Sequence, residues 1–395
     1  MMNMKNKIFK NLIILFVVLT TFLCSCNNLN QNASASQNSI ENIPHIDNVK
    51  IYEYAAFGSI DMDISIADFN NLGFEYGDSV NVMISNGYEA LDIPYFDGYY
   101  GKTGDIALVS YPTHNNVHLA IVYGDRIWDV ANASDKDTIS VRLNEKGKYK
   151  EIQELLKIKY SNDREEYVSD VAFANFRNVK VGSIKENMLY RGASPIDNLN
   201  FRAKYADKLI AENGIQFDVN LSDSERSVHE HLNKEDCESP YFDSLYQNNK
   251  VITLSMDMNF RSKKFGEKVV EALTAMSKND GPYYIHCVEG KDRTGVFCAI
   301  IEGLAGATYE EIVDDYMKTY DNYYGINEET DKLRYDAIKN QYIDYMLRFY
   351  ADYGENGNKD IALKDLEWTN IMGRYLTDNG MTIEDLNNLY DKLFD

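Results

Sequence analysis

A ten-residue run, His286–Gly295 with the sequence HCVEGKDRTG, constrains the fold of this chain more than any other feature. It overlaps the end of a short apolar segment, 283–287, which predicts a strand, and it precedes apolar residues that predict a helix. A tight loop between the C-terminal end of a strand and the N-terminus of a helix turns successive backbone N–H groups inward, where the helix dipole adds positive potential. The run therefore predicts an anion-binding loop that suits phosphate, within an α/β layer architecture.

Residues of this run have types that suit chemistry on a bound phosphate group. Cys287 begins the loop, where the positive field lowers a thiol pKa from about 8.5 and favours the nucleophilic thiolate. Arg293 carries a planar fork that can hold two phosphoryl oxygens, which a lysine could not do equally well. Thr294 can donate to the sulfur, and Gly290 and Gly295 permit unusual backbone angles and close approach. We predict Cys287 as the nucleophile, with Arg293 and Thr294 as its catalytic partners.

The run also resembles the Cys-x5-Arg-Thr/Ser signature of cysteine-dependent tyrosine and dual-specificity phosphatases, and its ending is similar to that of bacterial tyrosine phosphatases that also act on phosphoinositides. Similar flanking segments, among them 189–192, extend the resemblance over about 178–395. It implies an α/β phosphatase domain that cleaves phosphomonoesters through a phosphocysteine, with no metal and no cofactor. The implied substrate is a phosphotyrosine protein, a phosphoinositide or a soluble inositol phosphate. The implied phosphate-binding residues are Val288, Glu289, Gly290, Lys291, Asp292 and Arg293.

The general acid that protonates the leaving oxygen is predicted among the aspartates. In the family that the run resembles, this acid usually lies on a loop after the preceding strand, and Asp257 occupies such a position. Asp292 is the second candidate, because in the bacterial subgroup the aspartate inside the loop has this role. Asp223 is a distant third. His286 is interpreted as structural, and Lys291 as a source of positive potential for a second phosphate or an acidic headgroup.

Other interpretations fit the residues of the run less well. A nucleotide-binding P-loop would place Ser or Thr where Asp292 stands. A buried structural cysteine is the usual fate of a lone cysteine, but it does not explain Arg293 and Thr294 at these offsets. The rival from another class is a surface binding protein that uses a phosphatase-like scaffold, and the intact signature favours an enzyme over it.

The region before the phosphatase-like part predicts an all-β domain over 49–145. Apolar and polar residues alternate there, as at Ile60, Met62 and Ile64, and turn pairs such as Asn86-Gly87 separate the runs, which favours a small barrel or sandwich. Residues 55–82 resemble the β-barrel domain of the S-adenosylmethionine hydroxide adenosyltransferases, which implies a binding or structural module. A connector is predicted over 146–177, and the charged segment 145–170 is predicted to be helical.

The remainder predicts alternating strands and helices, so the fold class is an α/β phosphatase domain preceded by a small all-β barrel-like domain. Strands are predicted over 215–221, 251–256 and 283–287, and helices over 198–212, 264–278 and 335–350. Thr308 and Glu311 form a predicted capping box, and Thr382 opens a predicted last helix.

The N-terminal 26 residues have the plan of a secretory signal, with early lysines, an apolar stretch over 12–23 and then Cys-Ser-Cys. The apolar stretch is shorter than the roughly 20 residues that span a bilayer. Residues 23–26 resemble a bacterial lipobox, which implies lipidation of Cys26, export and attachment to the membrane of the cell envelope. An ordinary signal peptide with incidental cysteines is the alternative. Residues 27–48, rich in Asn, Ser and Gln, predict a disordered tether.

Composition restricts the partners of the chain. Lys plus Arg is 40 and Asp plus Glu is 62, a net charge of −22, so nucleic acid is not an expected partner. The five cysteines are too few and too scattered for a disulfide scaffold or a paired zinc site. Neither His114 with His118 nor His229 with His231 has an evident third ligand, so these histidines are interpreted as surface or core residues.

Overall fold

The computed structural model describes residues 43–55, 58–111, 114–354 and 357–395. The predicted signal segment, the lipidation candidate Cys26 and most of the predicted tether lie outside the described residues. Among the helices in the described part of the chain, none is long and apolar enough to cross a membrane. Ile43–Asp395 belong to one compact unit.

The N-terminal part of this unit is a closed seven-stranded barrel with the order β1-β2-β6-β5-β4-β3-β7, which confirms the predicted all-β region. Pairing is antiparallel except between β4 and β5. The strands are β1 His45–Tyr54, β2 Ser59–Ser65, β3 Ser79–Ile84, β4 Glu89–Phe96, β5 Ile106–Val109, β6 Asn116–Ile121 and β7 Thr138–Glu145. Two short helices accompany them, α1 Ile66–Asn71 and α2 Ile127–Val130. Strand β1 begins inside the predicted tether, because His45 pairs with Arg142 of β7.

The predicted alternation fills the barrel interior. Ile60 and Met62 of β2 are fully buried, as are Val80 and Val82 of β3. In a strand, residues two apart face the same side, so these positions form the apolar lining of the closed sheet.

The connector contains less helix than its charge pattern predicts. It comprises α3 Lys150–Leu156, a 3₁₀ turn Arg164–Glu166 and α4 Asp170–Phe173. Between them the chain is irregular, because the Arg202 guanidinium binds the Ser161 carbonyl at 3.0 Å and the Asn162 side chain at 2.9 Å. The prediction of a mainly helical connector was wrong, since tertiary hydrogen bonds replaced those of a helix.

The C-terminal part contains a five-stranded sheet with the order β11-β10-β12-β9-β8. Its strands are β8 Arg177–Asn178, β9 Leu189–Gly192, β10 Phe217–Asn220, β11 Val251–Thr253 and β12 Tyr283–His286. All neighbours are parallel except β8 and β9. Because β12 lies between β10 and β9, the residues that follow it emerge at the centre of the carboxyl edge, where α/β sheets bind ligands.

Helices cover this sheet. They are α5 Ala203–Glu212, α6 Glu225–Leu232, α7 Pro240–Gln247, α8 Lys263–Lys278, α9 Asp292–Leu304, α10 Tyr309–Tyr324, α11 Lys332–Gln341, α12 Ile343–Ala351, α13 Trp368–Asp378 and α14 Ile383–Leu393, with a 3₁₀ turn at Leu363–Asp365. Helix α9 is buried along 294–304 and is the core helix of this region. The predicted caps at Thr308 and Thr382 are confirmed.

Two predicted helices differ from the structure. The helix predicted from residue 198 begins at Ala203, because Phe201 adopts a left-handed φ of 58° and its N–H closes a turn onto the Asn198 carbonyl. The helix predicted over 335–350 is divided at Tyr342, where φ and ψ are −111° and −72°. The periodicity of the apolar residues continues across this break and did not reveal it.

Candidate active site

The sheet places Cys287 directly after its central strand and before α9. Cys287 is only 3% exposed, at the base of the loop. Among the described residues, the backbone N–H groups of 288–293 have no hydrogen-bond acceptor, and no side chain caps α9. These N–H groups and the positive end of the helix dipole are available to an anion above the sulfur.

The loop requires glycine at position 290 for two reasons. Gly290 has a φ of 65°, and a Cβ there would lie 2.1 Å from the carbonyl oxygen of Gly192 in β9. Gly295 has no such backbone angle, but a Cβ there would lie 2.6 Å from the ring of Tyr316. The two glycines therefore let the loop pack closely against the neighbouring strand and against α10.

A buried network holds the loop carbonyl of Gly290. The Asn175 amide and the Arg191 guanidinium each donate to this oxygen at 3.1 Å. Asp315 of α10 in turn accepts from Arg191 at 2.5 Å and from Arg177 at 2.6 Å. These residues fix the backbone that turns the loop N–H groups inward.

Two carboxyl groups in this network titrate differently. Burial by itself raises the pKa of Asp315, but Arg177 and Arg191 outweigh burial and hold that pKa far below its ordinary range. Burial raises the pKa of Glu302 well above its ordinary value, and the Asp315 charge adds to the effect. Burial and the neighbouring Asp315 charge thus oppose ionisation of Glu302, whereas the two guanidinium groups hold Asp315 in its charged form.

The thiol of Cys287 is poised to ionise. Burial raises its pKa, but Arg293 and then the hydroxyl and backbone amide of Thr294 more than offset burial, so the pKa falls below its ordinary value. The buried Thr294 hydroxyl has no nitrogen or oxygen hydrogen-bond partner among the described residues. The arrangement favours a thiolate at the base of the anion-binding loop.

Arg293 links the loop to the segment that carries Asp257. Its Nη1 donates to the Met256 carbonyl at 3.2 Å. The Asp257 side chain is 54% exposed, lies 3.9 Å from the Lys264 ammonium, and accepts from the Asn259 N–H at 3.0 Å. Asp257 therefore follows a residue that contacts the loop, but its own side chain is exposed to solvent.

Asp292 lies inside the loop in a different environment. Burial raises its pKa, although the neighbouring Lys291 charge opposes the shift. The Lys291 ammonium lies 3.7 Å from Asp292 and 3.3 Å from Glu289, and the Tyr160 hydroxyl donates to Glu289 at 2.5 Å. Asp292 still has 33% of its side chain exposed, so substrate can reach it.

The other residues singled out from sequence lie apart from this chemistry. His286 is fully buried and bonds the Asp218 carboxylate at 3.0 Å, and Asp223 is held by Asn220 at 3.0 Å. Cys298 faces the core, where burial raises the pKa of its thiol to about 12. Within the described ranges, no group of three or more His, Cys, Asp or Glu could hold a metal ion.

A surface hollow of about 870 Å³ lies between α5 and α7. Its lining is largely charged and includes Lys204, Lys208 and Glu212, but no residue of the 287–295 loop. The hollow is therefore separate from the candidate active site.

The sheet and its loop define a class of protein: α/β proteins that bind a phosphate group between the end of a central strand and the start of a buried helix. A family model described as the tyrosine phosphatase family matches residues 172–395, and the chain belongs to this family. This membership supports a phosphatase activity.

Other comparisons add little. No curated protein matches the chain. One solved structure, an uncharacterized conserved protein from Thermotoga maritima, is 16% identical with a TM-score of 0.21. The match covers 24% of this chain and spans 35% of that protein's length.

Sequence reasoning missed the residues that support the loop. Arg191 falls within a segment whose family resemblance was visible, but Asn175, Arg177 and Asp315 carried no signal in the sequence. They come together because β8, β9 and α10 converge beneath Gly290.

Proposed function

We propose that this protein hydrolyses phosphomonoesters through a covalent phosphocysteine at Cys287. The observation that carries the proposal is the placement of a low-pKa thiol beneath backbone N–H groups that have no acceptor among the described residues. Family membership supports the coarser activity, phosphatase, and the loop geometry supports the cysteine-dependent route.

In the first step the Cys287 thiolate attacks phosphorus and the phosphorus–oxygen bond to the leaving group breaks. The loop N–H groups and the Arg293 fork hold the three equatorial oxygens as charge shifts among them. The leaving oxygen takes its proton from a carboxylic acid and departs as the alcohol or phenol.

In the second step water attacks the phosphocysteine. The acid, now a carboxylate, accepts a proton from that water, the phosphorus–sulfur bond breaks, and phosphate and the thiolate are released. The Thr294 hydroxyl donates to the departing sulfur, which stabilises it as a leaving group.

We infer that Asp292 is this acid, in preference to Asp257, the first candidate from sequence. A general acid must hold its proton near the working pH. Burial raises the pKa of Asp292 above its ordinary value, toward that pH. The Asp257 side chain is 54% exposed to solvent and lies 3.9 Å from the Lys264 ammonium, so no comparable burial acts on it.

Phosphotyrosine is the substrate that the loop favours over a polyphosphorylated headgroup. A second phosphate needs an unpaired cation, but Lys291 is engaged by Glu289 and Asp292 and its ammonium lies 3.4 Å from the Tyr324 hydroxyl. Phosphate release from a phosphotyrosine peptide is therefore expected to exceed release from phosphoinositide vesicles. Faster release from the vesicles would favour the phosphoinositide alternative.

The test of the mechanism is Cys287→Ser, assayed with para-nitrophenyl phosphate. We expect turnover to be lost, because serine has no accessible alkoxide at neutral pH. The matched control is Cys237→Ser, at a partly exposed cysteine outside the loop, which should retain both turnover and inhibition by vanadate. Retained turnover in Cys287→Ser would overturn the proposal, and a wild-type protein without turnover would favour the binding-protein alternative.

A further inference from the structure

Glu289 places a carboxylate inside the anion-binding loop, two residues after Cys287. Burial by itself raises the pKa of Glu289, but the Lys291 charge and the Tyr160 hydroxyl outweigh burial and lower that pKa below its ordinary value. Glu289 is therefore negatively charged at neutral pH. Because like charges repel, this carboxylate is unsuited to contact the phosphoryl oxygens themselves.

Two tyrosine hydroxyls hold Glu289 from outside the loop. Tyr160 of the connector donates to its carboxylate at 2.5 Å, and Tyr323 of α10 donates to its backbone carbonyl at 2.7 Å. The centroids of the two tyrosine rings lie 5.3 Å apart. Both the side chain and the backbone of Glu289 are therefore fixed by elements that lie far from the loop in sequence.

The guanidinium of Arg202 packs on both of these tyrosine rings. It lies 4.6 Å from the ring centroid of Tyr160 and 4.8 Å from that of Tyr323. Arg202 is 1% exposed, and its Nε donates to the Phe173 carbonyl at 2.9 Å. A guanidinium is attracted to an aromatic face most strongly when it is removed from water. Arg202 therefore restricts the two rings that hold Glu289.

Glu289 shares the Lys291 ammonium with Asp292. The ammonium lies 3.3 Å from a Glu289 carboxylate oxygen and 3.7 Å from an Asp292 carboxyl oxygen. The Lys291 side chain is only 18% exposed, so water screens these interactions less than it would at the surface. One cation is thus divided between two carboxyl groups, and it lies closer to Glu289.

We propose that Glu289 is a positioning residue for Asp292: it takes up the Lys291 ammonium that would otherwise pair with Asp292 alone, so that Asp292 keeps the proton that the leaving group needs. Tyr160, packed on Arg202, holds Glu289 in this place. The inference rests on the proposed phosphatase function and on Asp292 as its acid.

The charges around Asp292 act in the direction that this role requires. A neighbouring cation favours the charged form of a carboxyl group, and a neighbouring anion disfavours it. Burial raises the pKa of Asp292 and the Glu289 charge adds to the rise, while Lys291 and Arg293 oppose it. In a pair with Lys291 alone, Asp292 would be held as a carboxylate, which cannot protonate a leaving oxygen.

The other titratable groups around Asp292 leave this balance unchanged near neutral pH, apart from the Cys287 thiol. Burial raises the pKa of five tyrosine hydroxyls whose charge would act on Asp292, so these hydroxyls stay neutral: Tyr123, Tyr316, Tyr320, Tyr324 and Tyr342. The Arg293 guanidinium carries its charge throughout. Glu289 and Lys291 are therefore the charges that a substitution in the loop can alter without removing a group that binds the phosphoryl oxygens.

The test is Glu289→Gln, which removes the charge and keeps an oxygen that can accept from Tyr160. The measurement is kcat/KM for phenyl phosphate as a function of pH, with thermal unfolding followed in parallel. We expect the high-pH limb, set by Asp292, to move down by about 1 pH unit, because Lys291 then pairs with Asp292 alone. The low-pH limb should move less, since Arg293 and Thr294 are the groups that lower the pKa of Cys287.

Two further variants separate the charge of Glu289 from its hydrogen bond. Glu289→Asp keeps the charge beside Lys291, so its high-pH limb should lie closer to that of wild type than to that of Glu289→Gln. Tyr160→Phe keeps the ring on Arg202 and removes only the donor that holds the carboxylate. It should move the high-pH limb in the same direction as Glu289→Gln, by a smaller amount.

The matched control is Asp344→Asn, which removes the same charge from a similar group of residues at the start of α12. Asp344 accepts from the Tyr309 hydroxyl at 2.6 Å and from the Lys339 ammonium at 2.6 Å. Both limbs of its pH profile should match those of wild type, because this carboxylate shares no cation with Asp292.

Three results would overturn the inference while leaving the phosphatase function standing. In the first, the high-pH limb of Glu289→Gln stays in place. In the second, Glu289→Gln and Glu289→Asp move it equally and lower the unfolding temperature, which would show a purely structural role. In the third, Asp344→Asn moves it as far as Glu289→Gln does.

A high-pH limb that stays in place in Tyr160→Phe would overturn the role of Tyr160. Failure of the phosphatase function itself gives a different result, because the wild-type protein would then hydrolyse no phosphate ester at any pH.

Discussion

Asp292 and Cys287 lie within one loop, yet the loop shifts their pKa values in opposite directions. Burial raises the pKa of Asp292, while Arg293 and Thr294 outweigh burial at Cys287 and lower the pKa of its thiol. Because of these two shifts, the pH range in which Asp292 is protonated approaches the range in which Cys287 is a thiolate. Environment rather than residue type assigns the roles of acid and nucleophile.

This difference predicts a bell-shaped pH profile for kcat/KM. Activity should fall at low pH as Cys287 gains a proton and at high pH as Asp292 loses one. Asp292→Asn should remove the high-pH limb. It should also slow the hydrolysis of phenyl phosphate, whose phenol is a poor leaving group, by about 10²- to 10⁴-fold. The matched variant Asp257→Asn should keep the high-pH limb. If Asp257→Asn removes that limb and Asp292→Asn does not, the assignment of the acid is wrong.

For single residues, the sequence predicted the catalytic side chains better than the side chains that hold the loop in place. The spacing of Cys287 and Arg293 is local, so ten consecutive residues were enough to predict them. Asn175 and Asp315 act on Gly290 from distant parts of the chain, and polar residues of these types are common everywhere in a sequence. The choice between Asp257 and Asp292 depended on solvent exposure, which spacing does not reveal.

Among the elements, the turn from β12 into α9 depends on a glycine with no space for a side chain. Gly290→Ala would combine a left-handed backbone with a Cβ placed 2.1 Å from the Gly192 oxygen. Gly325→Ala is the matched control, because Gly325 has a φ of 64° and nothing within 4 Å of its Cβ position.

We expect Gly325→Ala to lower the free energy of unfolding by about 1–2 kcal/mol, the cost of the left-handed backbone. Gly290→Ala should lower it by about 1–3 kcal/mol more, from overpacking, and should abolish turnover because the loop is displaced. Urea denaturation of both variants measures the difference. Equal losses of unfolding free energy in the two variants would show that β9 shifts to accept the new Cβ and that the close approach of residue 290 to Gly192 is not required.

The network between β9 and α10 predicts a large effect of Asp315→Asn. Removing this charge leaves Arg177 and Arg191 buried without the carboxylate that bonds both of them, which costs about 3–5 kcal/mol at neutral pH. The partly exposed pair of Arg348 and Asp352 is the control, and Asp352→Asn should cost about 1 kcal/mol, well below the loss at Asp315.

The effect of Asp315→Asn should depend on pH in one direction. Arg177 and Arg191 hold the pKa of Asp315 below its value in the unfolded chain, so its contribution to stability is complete above that unfolded value. The contribution falls as pH drops below about 4, toward the lower pKa of the folded state. Urea denaturation from pH 7 to pH 3 checks this, and a difference that grew on acidification would contradict it.

Helices and strands were predicted well where the periodicity of apolar residues defines them. They were predicted poorly where the backbone angles of single residues set their ends. The barrel strands and α8 follow from alternation and helical spacing. The late start of α5 and the break at Tyr342 depend on individual backbone angles imposed by packing. No local pattern carries that information.

Considered as a whole molecule, the chain combines a net charge of −22 with a local positive site. Arg293, Lys291 and the start of α9 lie together at the loop, so the negative surroundings weaken the approach of a phosphorylated substrate but do not prevent it. Acidic composition correctly disfavours nucleic acid as a partner and does not disfavour a phosphate ester.

Attachment to a membrane is a proposal at this scale, because it rests on residues outside the described ranges. Expressed in bacteria with labelled palmitate, the wild-type chain should carry label in the membrane fraction through Cys26. Cys26→Ser should lose the label, and Cys24→Ser, at the neighbouring cysteine, should keep it. Label that depends on Cys24, or none in the wild type, would contradict the lipobox assignment.

The order of the domains could be predicted from sequence, but their contact could not. A change from alternating to helical periodicity separates the barrel from the phosphatase domain. The hydrogen bonds of Asp125 and Thr103 to the 256–261 segment join residues more than a hundred positions apart. For that reason the sequence implied only a binding or structural module, whereas the structure shows the barrel bonded to the segment whose Met256 carbonyl accepts from Arg293.

The most direct test of the account is to trap the covalent intermediate. Wild-type protein is mixed with a ³²P-labelled aryl phosphate, quenched in acid within its first turnover and digested, and the labelled peptide is identified. We expect the label on the peptide that contains Cys287, held by a phosphorus–sulfur bond, and no label in Cys287→Ala. Turnover without a labelled peptide, or label on another residue, would contradict the phosphocysteine mechanism.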